Sequence, residues 1–216
     1  MKSSFIIKKI ITVVFSRNYL DIKYDDNYFR HILRKYKNIA YYSNLQIQCN
    51  NKQGVSTNKE VCYINKLNFG SSLKKVKKNI PNNEVYIKKY LSNSIILLFK
   101  TIVGGYSAEL SLHFHKNSLF LFNYTFSNLS KEDKIMINNI LVEKYLNGNT
   151  EVNFSTQKIT DNFGNHIFTE DDVYYTINYI SLTHNFFNLI SYEGVELNKK
   201  RIENEKFKKE ELYYKL

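Results

Sequence analysis

The sequence predicts an α+β fold, an antiparallel sheet backed by helices, with an amphipathic helix at the N-terminus and a charged helix or tail at the C-terminus. Three observations carry that reading. The chain holds 18 Tyr and 15 Phe but no Trp, one Pro and seven Gly, a bias toward side chains that fit a pleated, half-buried surface. Apolar or alternating runs follow one another between residues 84 and 126, separated by short polar or glycine breaks. Helix punctuation brackets that block on both sides. The 216 residues, 43% apolar, suffice for one domain with a sizeable core, assigned here to 1–195 with a charged segment, 196–216, behind it.

The first segment, "MKSSFIIKKIITVVFSR", is too interrupted to span a bilayer. Lys8 and Lys9 leave an apolar run only from Ile10 to Phe15, where a spanning helix needs about 20 residues, and no small-residue cleavage site follows. Lys8, Thr12 and Ser16 fall on one stripe, which describes an amphipathic helix lying on the body of the protein or on a membrane surface. A cytoplasmic protein is expected, with peripheral membrane association as the alternative.

Next, "DDNYFRHILRKYKNIAYY" reads as a helix or arm with Phe29, Leu33 and Tyr36 on one face. Arg30, Arg34, Lys35 and Lys37 lie outside, and His31 sits among them as a solvated residue. In "LQIQCNNKQGVSTNKEVCYI" two alternating runs flank a polar loop containing Gly54, the pattern of a hairpin in which Cys49 and Cys62 face each other. A disulfide fits that geometry, and so do two buried free thiols in a chain with no export signal. Without a CxxC pair or neighbouring histidines, a cysteine zinc site is excluded.

In "INKLNFGSSLKKVKKNIP", Ser71 or Ser72 caps a helix, Leu73, Val76 and Ile80 form its buried stripe, and Pro81 stops it. Steps of about 100° put Lys74, Lys77 and Lys78 on one arc with Lys75 on the flank. Through Ile64, Leu67, Gly70, Ser71, Val76 and Pro81, residues 63 to 126 resemble the BamE-like (SmpA/OmlA) module, which runs from a short strand through Gly and Ser or Thr into a helix, a Pro and an antiparallel sheet. The resemblance implies that helix-then-sheet layout and a protein-binding role. The chain departs from the family in having no lipobox cysteine and in placing Asn79-Ile80 where Leu-Gly is usual.

The strands expected after Pro81 are "EVYIKKYL", "SIILLFKTIV", "YSAELSLHFH" and "SLFLFNYTF", with Gly104-Gly105 and Lys116-Asn117 as turns. Residues 130 to 148 then form a helix. Ser130 and Asp133 sit at capping-box spacing, Ile137, Ile140, Leu141 and Tyr145 make its face, and Asn147-Gly148 ends it. Residues 151 to 195 are read as further strands turned at "DNFGN". In the last segment, pairs such as Glu205/Lys209 support a helix, but Leu197, Ile202, Phe207 and Leu212 recur every five residues and build no stripe.

Candidate sites are few. His113 and His115 alternate on one strand and share a face, the pattern of a strand edge satisfied by hydrogen bonds or of two ligands to a metal. Glu109, about 13 Å from His113 along a strand, is out of reach of the same ion. If the Lys116-Asn117 turn is tight, His115 faces Ser118, His113 faces Phe120 and Glu109 faces Tyr124 across a half-covered aromatic surface. Glu170, Asp171 and Asp172 offer carboxylates, with a solvated loop as the plain alternative; His166 and His184 stand alone. No GxSxG, P-loop or GxGxxG occurs, so no catalytic residue and no cofactor is assigned.

Charge supplies the remaining signal. The net charge is +11, and it is lopsided: residues 1–100 hold 19 Lys and Arg against five Asp and Glu, the rest 12 against 15. Of the 31 cations 27 are Lys, which coding bias toward AT alone can produce. Two functions are expected, with a metal-dependent enzyme at His113 and His115 as the least favoured third. One is a protein-interaction or adaptor module, antitoxin-like or immunity-like, with a protein partner. The other is a binder of nucleic acid or an anionic membrane surface, using Arg30, Arg34, Lys35, Lys37, Lys74, Lys75, Lys77 and Lys78 with Tyr36, Tyr41 and Tyr42 for stacking.

Overall fold

A computed structural model describes residues 34–63, 67–80, 86–90, 94–148 and 150–215. Arg30, His31, Ile64, Pro81 and the amphipathic segment 1–17 lie outside the described residues. The described elements in chain order are α1 (Ile39–Asn51), β1 (Gln53–Thr57), α2 (Leu73–Lys77), β2 (Tyr86–Tyr90), β3 (Ser94–Val103), β4 (Tyr106–His115) and β5 (Ser118–Phe126). They continue with α3 (Lys131–Leu146), β6 (Gln157–Asp161), β7 (Asn165–Asp171), β8 (Tyr175–Ser181) and α4 (Asn185–Lys215). The eight strands form one sheet in the order β1-β6-β7-β8-β5-β4-β3-β2. Only the β1–β6 pair is parallel; all others are antiparallel. The α+β reading holds: an antiparallel-dominated sheet carries helices on both faces.

Two cores follow from the pleat. On one face Leu97, Phe99, Leu110, Leu112, Phe122, Ile167 and Tyr179 meet Val76 of α2 and Leu141 and Tyr145 of α3. On the other, Phe120, Leu121, Phe168 and Ile180 meet Tyr42, Leu45 and Cys49 of α1 and Phe186, Phe187 and Ile190 of α4.

A β-bulge links the two. Pairing slips between His113 and Phe114, so Phe114 pairs with Leu119 and His113 with Leu121, leaving Phe120 as the extra residue. A bulge puts two consecutive residues on one side, and Phe120 and Leu121 accordingly both enter the α1–α4 core. The expected pairing of His115 with Ser118 is present, but beyond the bulge every partner moves by one: His113 meets Leu121, not Phe120, and Glu109 meets Thr125, not Tyr124. Lys116 and Asn117, both at positive φ, make the tight turn.

Several local readings are corrected. The hairpin expected around Gly54 does not form, because "LQIQC" belongs to α1, whose start is capped by Asn38 and whose buried residues are Tyr42, Leu45 and Cys49. That spacing of three and four is helical. Both cysteines are free thiols. The segment 185–195 is the start of α4, not a strand, so the charged C-terminal segment continues a helix that begins on the core. In α3 the capping box between Ser130 and Asp133 is present and Asn147 closes the helix in the left-handed region, but Ile140 is exposed. Helix α2 starts as expected, with the Ser72 side chain accepting from the Lys75 amide.

Candidate functional site

Helix α1 lies over a sheet face that is polar where a core would be apolar. On β4 every second residue points toward it, giving Glu109, Ser111, His113 and His115, all buried. His113 is fully enclosed and spends both ring nitrogens on hydroxyls: Nδ1 lies 3.1 Å from Tyr42 Oη and Nε2 2.9 Å from Ser111 Oγ. Ser111 also donates to Asn123 Oδ1 at 2.7 Å and accepts from Tyr36 Oη at 3.2 Å. Asn123 Nδ2 donates to Tyr41 Oη at 3.3 Å. The rings of Tyr36 and Tyr42 stand edge-on to the imidazole, 4.6 and 5.7 Å from it. Such satisfied networks fix one packing of helix on sheet.

Burial holds the His113 imidazole well below its usual range, and the Lys35 ammonium adds to the effect. His113 is therefore a neutral packing group whose nitrogens are not presented to a ligand. The surface around it is fully covered, not half-covered. His115 is buried as well, with the ring of His184 5.9 Å away. Among the described residues no group of three or more His, Cys, Asp or Glu is placed to hold a metal ion.

The acidic run separates into different roles. Asp171 takes an ion pair from Lys134 of α3 at 2.6 Å. Glu170 is part-buried, accepts from Asn178 Nδ2 at 2.7 Å, and has its carboxyl pushed up by desolvation. His166 rests against Thr160 Oγ1 at 3.0 Å, and burial lowers it to about 4.

The predicted cations divide between the two faces. Arg34, Lys35 and Lys37 precede α1 and are exposed, with the Lys35 ammonium 4.8 Å from the centre of the Tyr36 ring. Tyr36 and Tyr42, expected to be free for stacking, are fully buried. The other group stands on α2, which packs into the opposite core through Val76. There Lys74, Lys77 and Lys78 line one open groove together with Leu73 and Asn117, and Lys75 stays outside it. Asn117 closes the groove by accepting the Leu73 amide at 3.1 Å, and Ser72 bridges to Ser118. The turn between β4 and β5 thus fixes α2 in place. Among the described residues no carboxylate lines the groove.

The polar row on the α1 side was only half visible beforehand. Its β4 members could be seen as an i, i+2 series; Asn178 and Glu170, brought alongside through β8 and β7, could not. No helix among the described residues is long and apolar enough to cross a membrane. No protein-family model, no curated protein and no solved structure matches the chain.

Proposed function

We propose that the protein acts by binding, and that it takes a single-stranded nucleic acid backbone in the groove beside α2. The observation that supports this reading is the convergence of Lys74, Lys77 and Lys78 on one open groove where no acid stands among the described lining residues. Like charges at helical spacing of three and four repel by a few tenths of a kcal/mol per pair, so the fold gains nothing from them. A phosphate chain offsets that repulsion and releases counterions. Among the described residues no aromatic side chain lines the groove, so recognition there is by charge.

The test is fluorescence anisotropy of a labelled oligo(dT) against salt. With about 0.7 counterions released per phosphate on a single strand, three lysine contacts contribute a slope of about −2 in log K against log salt. The triple variant Lys74→Gln, Lys77→Gln, Lys78→Gln is expected to keep its fold and lose that part of the slope. Equal binding by wild type and variant, or none at low salt, removes the proposal.

A second reading has its own support. Residues 205–215 of α4 are exposed throughout, and Phe207, Leu212, Tyr213 and Tyr214 stand bare there. Large exposed aromatics mark protein interfaces more often than free surface, in line with the protein-binding role that the BamE-like resemblance implies. Truncation after Asn204 leaves nucleic-acid binding intact and abolishes any stoichiometric protein complex if this end of the helix is the contact.

A further inference from the structure

The sheet ends in two unlike edges. One is β2, whose sequence includes Lys88 and Lys89; the other is β1, "QGVST", with neither charge nor proline and a regular register. Native proteins guard an edge strand with lysine, proline or a bulge, and β1 carries none of these. The two lysines that flank it are withdrawn onto their own chain. Lys52 Nζ donates to the Ser155 carbonyl at 2.8 Å, and Lys59 Nζ donates to the Lys144 carbonyl at 2.6 Å.

Register decides which backbone groups of β1 face outward. The strand lies parallel to β6 with Gln53 opposite Gln157, and the Gln53 amide donates to the Thr156 carbonyl at 2.9 Å. In a parallel pair alternate residues turn both N–H and C=O to the same neighbour, so Gln53, Val55 and Thr57 bond to β6. Gly54 and Ser56 present theirs to the other side, where no described strand pairs with β1. Both are exposed, and Val55 between them is half-buried. The outward row is therefore donor and acceptor at Gly54 and again at Ser56, the spacing at which an antiparallel strand exchanges its bonds.

We propose that β1 is a dimer interface, pairing antiparallel with β1 of a second copy about a two-fold axis at Val55. Gly54 of each copy then exchanges both backbone hydrogen bonds with Ser56 of the other, and the two sheets become continuous. A second copy is the occupant because the row is self-complementary. Rotation carries each donor onto an acceptor and sets Val55 opposite its own equivalent, and the flanking Lys52 and Lys59 are already turned inward. A partner chosen by charge would find none on β1 to read. A two-fold contact of this kind closes on itself, so assembly stops at the dimer.

So short a strand makes a contact at the low end of interface size, under about 1,200 Å², and a dissociation constant of about 0.1 to 1 mM is expected. Sedimentation velocity of the full-length protein should show the monomer giving way to dimer as concentration rises to about 1 mM. Ser56→Pro removes one outward donor and no bond to β6, and is expected to weaken association at least tenfold. A wild type that stays monomeric throughout overturns the proposal, and so does equal association by Ser56→Pro, which would put the contact elsewhere. Cross-linking decides independently of how that variant folds. With Cys62 changed to Ser, Val55→Cys is treated with oxidised glutathione. The two facing positions stand about 4.5 Å apart between Cα atoms, within disulfide reach, so a covalent dimer is expected. Gln53→Cys, about 14 Å from its equivalent, should give none. Equal yields from the two variants, or no dimer from Val55→Cys, overturn the proposal.

Discussion

Acid should unfold this protein through its histidines before its carboxylates are involved. His113 is fully buried and held neutral between Tyr42 and Ser111, and burial depresses it well below 6.5; His166 is lowered to about 4. Both imidazoles take a proton near pH 6.5 once the chain unfolds. The sign follows: a group whose folded pKa is depressed gives the unfolded state the extra proton, so stability is whole above pH 6.5 and falls as pH drops toward the folded value. Between pH 7 and 5.5 each such histidine removes about 1.2 kcal/mol, or about 2.5 for the pair. The groups facing His113 do not relieve this. Tyr36, Tyr42, Ser111 and Asn123 are neutral, and the Lys35 charge disfavours the imidazolium further.

Urea unfolding followed by tyrosine fluorescence at pH 7.0, 6.5, 6.0 and 5.5 measures it. With an m-value of about 2 kcal/mol per molar, the midpoint should fall by roughly 1 M across that range. Glu170 acts in the opposite sense, since desolvation raises its carboxyl above the usual 4.5 and its protonation favours the fold as pH falls through that raised value. The variant His113→Gln keeps a hydrogen-bonding side chain and removes one titration, so its midpoint should fall about half as far. A wild-type midpoint that stays flat from pH 7.0 to 5.5, or a His113→Gln dependence equal to wild type, refutes the reasoning.

Phe120 is fully buried and touches the rings of Tyr42, His184, Phe186 and Phe187; Phe120→Ala should cost about 3–5 kcal/mol in urea unfolding, and a loss under 1 would mean that the bulge relaxes and refills the space. Cys49 is buried, its thiol pushed up to about 11, whereas Cys62 is half-buried. A thiol reagent at pH 8 should therefore modify Cys62 in the native protein and Cys49 only on unfolding, as mass mapping of the labelled peptides will show. Reaction of both at one rate contradicts the helix placement of Cys49.

What could be read from the sequence was whatever local chemistry decides. The capping box at Ser130 and Asp133, the Ser72 cap, the Lys116-Asn117 turn and the four runs from Tyr86 to Phe126 each declare themselves within a few residues, and the structure places them as read. The errors fall where a tertiary contact chose between two locally acceptable states. "LQIQC" alternates like a strand, yet Leu45 and Cys49 also lie on one helical stripe with Tyr42, and the sheet face beneath them decided for helix. The bulge at Phe120 was equally invisible, because nothing in "SLFLF" distinguishes an inserted residue from a regular one; the aromatic cluster around it does.

The same division explains why the candidate sites differ so much in how early they could be seen. Lysines on α2 need only a helix of known phase, and the phase was fixed by Ser72 and Val76. The histidines on β4 needed to know what lay above them, and the answer, buried Tyr42 from α1 and buried Tyr36 just before it, reverses their meaning from a half-open surface to an enclosed brace. The Glu170–Asn178 pair needed strand order as well, since β7 and β8 follow α3 in the chain yet insert between β5 and β6 in the sheet. Chemistry carried by one element is legible before folding; chemistry assembled across β4, β5, β8 and β7 exists only once the sheet has closed.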